Sequence, residues 1–407
     1  MTTQTIHPAD ELLATSQVKP AEQAKIASRL LYIDNIRTFL TALVLVHHIM
    51  IVYAGTGSWI YTEGRQDLAT TVIGSIFTTV NQAFFMGLFL LISAYFVPGA
   101  YDRKGPARFW KDRLTRLGIP LVIYSWLIDP LFAYGYLRVT AGLRTSLANF
   151  YIHDYFRYGN LIGPGPLWFI ETLLIFTLVY AVWRSFTRRG LAESRPIQSP
   201  VGGAFPSNRA LALFAMVMGL ASFAVRLVFP MHWNFQPLNL QFPFFAQYIL
   251  MFIAGLWAYR RNWLANMPDA TGKFWLRVAG VVLLMYVPGA LLGGALESDV
   301  PFLGGWTWQS LYYSIWEAFL CLGLCLGVLY LFRRHANRQS GFTASLSRSA
   351  YAAYIVQAPV ITAVALLARD LNYHPLVKFV LVTVVAVPLC FAIGEALRRL
   401  PYARQVL

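Results

Sequence analysis

"YIDNIRTFLTALVLVHHIM", residues 32–50, reads as a membrane-spanning helix that carries ionisable groups where a bilayer penalises them. Arg37 stands at its head, and two adjacent histidines, His47 and His48, sit well inside. An α-helix rises about 1.5 Å and turns about 100° per residue. His48, eleven residues past Arg37, therefore lies about 16 Å deeper, near the bilayer midplane. Those eleven residues also return it to within about 20° of Arg37's direction, so the two share one helix face. His47 points about 80° to the side. An imidazole at that depth can take or give a proton near neutral pH, and intramembrane ionisable groups commonly line a path or a site. Each residue also has a plainer reading. Arg37 can be a membrane-boundary anchor, with Asp34 to pair with it or cap the helix, and a membrane histidine can simply hydrogen-bond a neighbouring helix.

The composition around this stretch fits a membrane protein. Hydrophobic residues make up 57% of the 407, charged residues 13%, and mean hydropathy is +0.53. A soluble domain carries about 25% charged residues. The pattern predicts an all-α polytopic integral membrane helix bundle of about ten transmembrane helices. The expected spans are 37–53, 71–97, 117–137, 167–183, 210–229, 244–259, 278–296, 310–332, 350–367 and 375–397. Residues 1–28, polar and without the apolar core of a signal peptide, are expected to be a disordered tail, and 29–407 a single membrane-embedded domain.

A net charge of +15 raises the question of nucleic acid, but the charge alternates between connections. "YDRKGPARFWKDRLTR" (101–116), "WRSFTRRG" (183–190), "YRRNW" (259–263), "FRRHANRQ" (332–339) and "RRLPYAR" (398–404) fall on one side. The opposite connections hold Arg65, Arg138, Arg144, Arg157, Arg226, Arg369 and Lys378, seven of the 33 Lys and Arg residues. That asymmetry is a topology signal and not a nucleic-acid face, and it predicts both termini in the cytoplasm. Cys321, Cys325 and Cys390 lie in apolar segments and read as small core residues.

Other polar groups reach similar depth: Asn81 and Gln82 in the second span, Glu171 in the fourth, Gln357 in the ninth. Together with His48 they suggest a hydrated pocket inside the bundle. The connection carrying "NFYIHDYFRYGN" (149–160) reads either as an interfacial aromatic belt or as a platform for a polar acceptor. Two other functions stay open on these residues alone. A secondary transporter would suit ten spans and midplane polar groups, although no inverted repeat is visible. A haem or metal protein using His47 or His48 lacks a second membrane histidine to complete a ligand set.

Arg37 followed by ten residues and His48 resembles the Arg-x10-His pattern of the acyltransferase-3 family of membrane-bound acyltransferases. "FFMGLFLLISAYF" (84–96) is similar to that family's second-helix motif, with Ser93 matching its serine. "WKDRLTRLGIP" (110–120) resembles its RxxR segment through Arg113 and Arg116. "GPLWFIETLLIF" (165–176), with Trp168 and Glu171, and "SRSAYAAYIVQAPVI" (347–361) resemble later motifs, so the likeness covers nearly the whole chain. Two positions depart from it: Ala94 stands where glycine is usual, and Gln357 where many members have histidine. The overall pattern is most similar to stand-alone members such as the glucan-modifying succinyltransferases.

The resemblance implies a membrane-bound O-acyltransferase. Such a protein takes an acyl group, acetyl or succinyl, from cytoplasmic acyl-CoA as co-substrate and places it on a hydroxyl of an extracytoplasmic or membrane-associated acceptor such as a glycan. No tightly bound cofactor or metal is implied, and the location is a bacterial inner membrane. His48 and Arg37 are the expected catalytic pair, His48 as general base in direct transfer, with a ping-pong route through an acyl-histidine as the variant. Arg113 and Arg116 are expected at the CoA phosphates. Asn81, Gln82, Ser93, Trp168 and Glu171 are the remaining expected substrate-binding residues.

Overall fold

The computed structural model describes residues 31–64, 67–155, 163–189, 203–236 and 238–406. The expected tail, Arg65 and Arg157 lie outside them. Ten helices are long and apolar enough to cross a membrane. They are α1 (Leu31–Ala54), α2 (Leu68–Tyr95), α3 (Val97–Thr140), α4 (Gly165–Thr187), α5 (Asn208–Arg226), α6 (Phe242–Arg260), α7 (Asp269–Leu292), α8 (Trp308–His335), α9 (Gly341–Leu367) and α10 (Pro375–Arg399). Among the described residues no strand forms, and a single bridge joins Phe235 and Leu240. The chain is a multi-pass membrane protein.

The helix starts follow from capping chemistry. Asp67, Ser207, Thr307 and Ser340 each offer a side-chain oxygen to a backbone N–H in the first turn of α2, α5, α8 and α9. At α9 the cap is reciprocal, since the Thr343 side chain accepts from the Ser340 backbone in return. That cap explains why α9 begins at Gly341 and not near Ala350. Nine mixed residues before the apolar run are held helical by their cap.

α3 is longer than its expected span and is broken by its own sequence. Gly105, at φ 72°, interrupts it after two turns. Further on, wide π turns at Leu114–Gly118 and Tyr124–Ile128 precede Pro120 and Pro130. Proline lacks the N–H and crowds the preceding carbonyl, and a π turn absorbs that conflict without ending the helix.

α1, α2, α8 and α9 form the centre. α6 packs on α2, α10 on α9 and α1, and α5 and α7 on α8, while α4 lies along the first part of α3. Close approach depends on glycine. A side chain on Gly255 of α6 would strike the Leu91 carbonyl and Ala94 of α2. The alanine at 94 is therefore accommodated by a glycine on the partner helix. Large apolar side chains such as Val384 and Leu284 face outward, as they must in lipid.

The antiparallel passes produce two rims. On one, Tyr32 donates to the Leu264 carbonyl, Asn35 to the carbonyls of Ala336 and Arg338, Arg260 to Asp102 and Arg333 to Asp269. The arginine-rich connections thus gather on a single rim. On the other, Gly305 pairs with Arg226 through the backbone, and Tyr155 donates to Asp129.

Two cations assigned above to connections are instead inside the bundle. Arg226, the last residue of α5, is 0% exposed and meets Glu317 of α8 at 2.6 Å. Lys378 of α10 is buried against Glu63, also at 2.6 Å. Both stand at span ends, where a charge reads as interfacial. The partners that draw them inward are remote in sequence.

Candidate active site

The face of α1 that carries Arg37 also carries His48, and α9 supplies the partner. His48 Nδ1 lies 2.9 Å from Gln357 Oε1. An amide oxygen can only accept, so Nδ1 carries the proton and Nε2 keeps its lone pair. Trp59, from the connection after α1, stacks on the imidazole with centroids 4.4 Å apart and planes at 25°. His48 is half-buried. His47 is fully enclosed instead, packed on Phe85 at 5.0 Å, with its Nδ1 unpaired among the described residues. Of the two histidines, the one on Arg37's face is the less buried.

α9 presents a polar stripe at three-residue intervals. Tyr351 donates to the Arg116 carbonyl at 2.7 Å, Tyr354 donates to the Pro166 carbonyl, and Gln357 meets His48. Gln357 stands about 9 Å along the helix from Tyr351. α9 thereby ties α3, α4 and α1 together along the line that runs from the arginines to the imidazole.

At the arginine rim three guanidiniums converge. Arg37 lies over the Phe96 ring at 4.8 Å and faces Asp34 at 3.6 Å. Arg113 lies over Phe109 at 4.9 Å, is close enough to feel the charge of both Arg37 and Arg116, and has a buried, unpaired Nε. Arg116 is largely exposed and shares Asp112 with Lys104. Ser93 sits one turn before Phe96, near Arg37. A single carboxylate, Asp112, serves Lys104 and Arg116, which leaves this mouth net positive and rich in free donors.

The other expected residues divide. Ala54 packs on Gly74 and His47 on Phe85, so Asn81 of α2 lies level with Met50 of α1, close to the depth of His48. Its Nδ2 is buried and unpaired among the described residues. Gln82 turns elsewhere, donating to the Tyr248 hydroxyl at 3.3 Å. Tyr248 stacks on Trp168 at 5.9 Å, and Glu171 stands one turn beyond Trp168 with a buried Oε2 that is unpaired among the described residues. Gln82, Tyr248, Trp168 and Glu171 thus form a second polar–aromatic group, and no contact among the described residues joins Glu171 to His48. In the "NFYIHDYFRYGN" connection, Tyr151 donates to the Trp126 carbonyl and Tyr155 to Ser125 and Asp129, so these two rings tether the loop to α3. His153 is exposed.

The sequence placed Gln357 at depth in the expected pocket without naming His48 as its partner, and it did not point to Trp59 or Tyr248. The motif departure at Gln357 was the available signal, since a change at a motif position marks where a motif side chain points. Among the described residues no cluster of three His, Cys, Asp or Glu side chains could hold a metal ion, and the three cysteines are buried and free.

A family model described as an acyltransferase domain matches residues 30–395. Glucans biosynthesis protein C of Salmonella schwarzengrund (strain CVM19633) is 27% identical over 203 residues, 49% of this chain and 49% of that protein. The proteins of the same name from Salmonella agona (strain SL483) and Salmonella paratyphi A (strain ATCC 9150 / SARB42) match to the same extent. The chain spans about half the length of the curated relatives it matches. No solved structure matches it significantly.

Proposed function

This chain belongs to the acyltransferase-3 family of membrane-bound acyltransferases, and we propose that it moves an acetyl or succinyl group from acyl-CoA to a glycan hydroxyl. The observation that carries the reading is the pairing of His48 with Gln357, on the α1 face that leads from the three arginines. The arginine rim faces the cytoplasm, as the positive-inside rule requires, and both termini lie there. The membrane is a bacterial inner membrane. The name of the matched Salmonella proteins supports a glucan as acceptor.

CoA phosphates bind Arg113 and Arg116, with Arg37 beside them, because a guanidinium matches phosphate oxygens bidentately. The pantetheine arm runs along the α1–α9 line and brings the thioester to His48. His48 Nε2 removes the proton of the acceptor hydroxyl as its oxygen attacks the thioester carbonyl. The Asn81 amide, with its spare donor, faces the developing oxyanion. The tetrahedral species collapses, the C–S bond breaks, and the CoA thiolate takes the proton back from the imidazolium. Trp168 and Glu171, with Tyr248, hold the sugar from the other rim by stacking and hydrogen bonding. Gln357 keeps Nδ1 protonated and so fixes Nε2 as the base.

Binding of acetyl-CoA, succinyl-CoA and free CoA, read as a thermal shift of the detergent-solubilised protein, tests the donor side without an acceptor. The wild type is expected to be stabilised and an Arg113→Ala/Arg116→Ala variant not. No shift of the wild type at millimolar CoA would contradict the donor assignment.

A further inference from the structure

Beyond Ala54 the chain turns back toward the helix it has just left. The Glu63 N–H donates to the Val52 carbonyl at 2.8 Å, the hydroxyls of Thr56 and Thr78 stand 3.3 Å apart, and Trp59 lies on His48. Glu63 anchors this segment. Its carboxylate meets Lys378 of α10 at 2.6 Å and accepts from the Tyr61 hydroxyl at 3.2 Å, and Lys378 also donates to the Arg369 carbonyl at 2.8 Å. Burial, reinforced by Glu63, pushes the Tyr61 phenol up to about 12, so it remains a donor. Removing two charges from water for one contact is a poor route to stability. What the pair does supply is a fixed point. It fastens a connection near the N-terminus to a helix 315 residues further on.

Trp59 depends on that point. Its indole N–H is buried and unpaired among the described residues, so no hydrogen bond holds the ring. Only the stack and the anchored backbone do. The Gln357 hydrogen bond holds one edge of the imidazole, and a ring stacked on its face restricts the tilt that rotation about its χ1 and χ2 bonds would otherwise allow.

We propose that Trp59 is a positioning residue for His48, and that the buried Glu63–Lys378 pair is the clamp that holds it there. Trp59 then forms the wall of the site on the acceptor side and fixes the direction in which Nε2 points. The inference rests on the reading of His48 as the base, and its test does not use turnover, so either can fail without the other.

Diethyl pyrocarbonate acylates unprotonated imidazole, and peptide mass spectrometry resolves each histidine. Exposed His153 gives the reference rate, and enclosed His47 reports global unfolding. In Trp59→Ala and Glu63→Gln, His48 is expected to react about fivefold faster than in the wild type, with His47 still protected. Trp59→Phe, which keeps a ring on the imidazole, is expected to return to within about twofold. His48 rates unchanged in both single variants would overturn the proposal. So would His47 and His48 rising together in Trp59→Ala.

Discussion

Arg226 and Glu317 face each other at 2.6 Å with side chains 0% and 1% exposed, whereas His48 and Gln357 meet through one neutral hydrogen bond at 2.9 Å with His48 still half-exposed. Both contacts join helices inside the same bundle. The first is shut in by its partners, even though Arg226 Nε and Glu317 Oε1 find none among the described residues. Arg226 also donates to Ser314 at 3.0 Å and lies between the Phe244 and Tyr313 rings at 5.3 and 5.4 Å. The second leaves a lone pair on Nε2. A charge enclosed on all sides fixes helix positions and is shut off from substrate. A neutral imidazole held on one nitrogen can exchange a proton at the other. Burial of polar groups in a membrane protein therefore does not by itself mark a site; an unspent atom with access does.

Breaking each contact should separate these roles. Arg226→Met leaves Glu317 charged and alone, and a broken buried pair costs about 3–5 kcal/mol. A large fall in melting temperature is expected, with Arg226→Met/Glu317→Leu recovering most of it. Full stability of the single variant would show that the pair holds nothing together. Gln357→Leu should do the opposite. It forfeits a hydrogen bond of about 1 kcal/mol and the tautomer control that goes with it, so transfer falls about tenfold with little change in melting temperature. A variant that loses stability but not rate would place Gln357 with the scaffold.

The smallest expected effect lies at the far rim. Hydrogen bonds from the Thr70 side chain and backbone hold the Asp67 carboxyl below its usual value near 3.8. A depressed folded-state pKa gives stability that is present above about pH 4 and lost as pH falls through the lower folded value. Asp67→Asn should thus melt slightly below the wild type at neutral pH, with the gap closing below about pH 4. A gap that widens on acidification would contradict the capping role.

The same contrast explains what could be read from the sequence. The ten spans were legible because each is a local apolar run, and His48 was legible because helical geometry relates it to Arg37 over eleven residues. Arg113 and Arg116 were legible as a local motif, and Arg113 lies close enough to Arg37 to feel its charge. The clamp and the ion pair were not. Glu317 lies 91 residues from Arg226, and Lys378 lies 315 from Glu63. No local pattern announces such partners. Trp59 was invisible for a related reason, since a connection's path back into the bundle is set by that remote anchor. Glu171 shows the converse. It is buried as an intramembrane carboxylate was expected to be, but no contact among the described residues joins it to His48.

The central claim is that His48 removes the acceptor proton in transfer from acyl-CoA. It is tested most directly by free CoA release from acetyl-CoA and succinyl-CoA in vesicles, with and without a glucan acceptor, comparing wild type with His48→Ala at matched folded amounts. General base catalysis contributes about 100- to 10,000-fold. The expected result is acceptor-dependent CoA release that His48→Ala lowers by that order, with CoA binding retained. Release by His48→Ala at the wild-type rate would contradict the account.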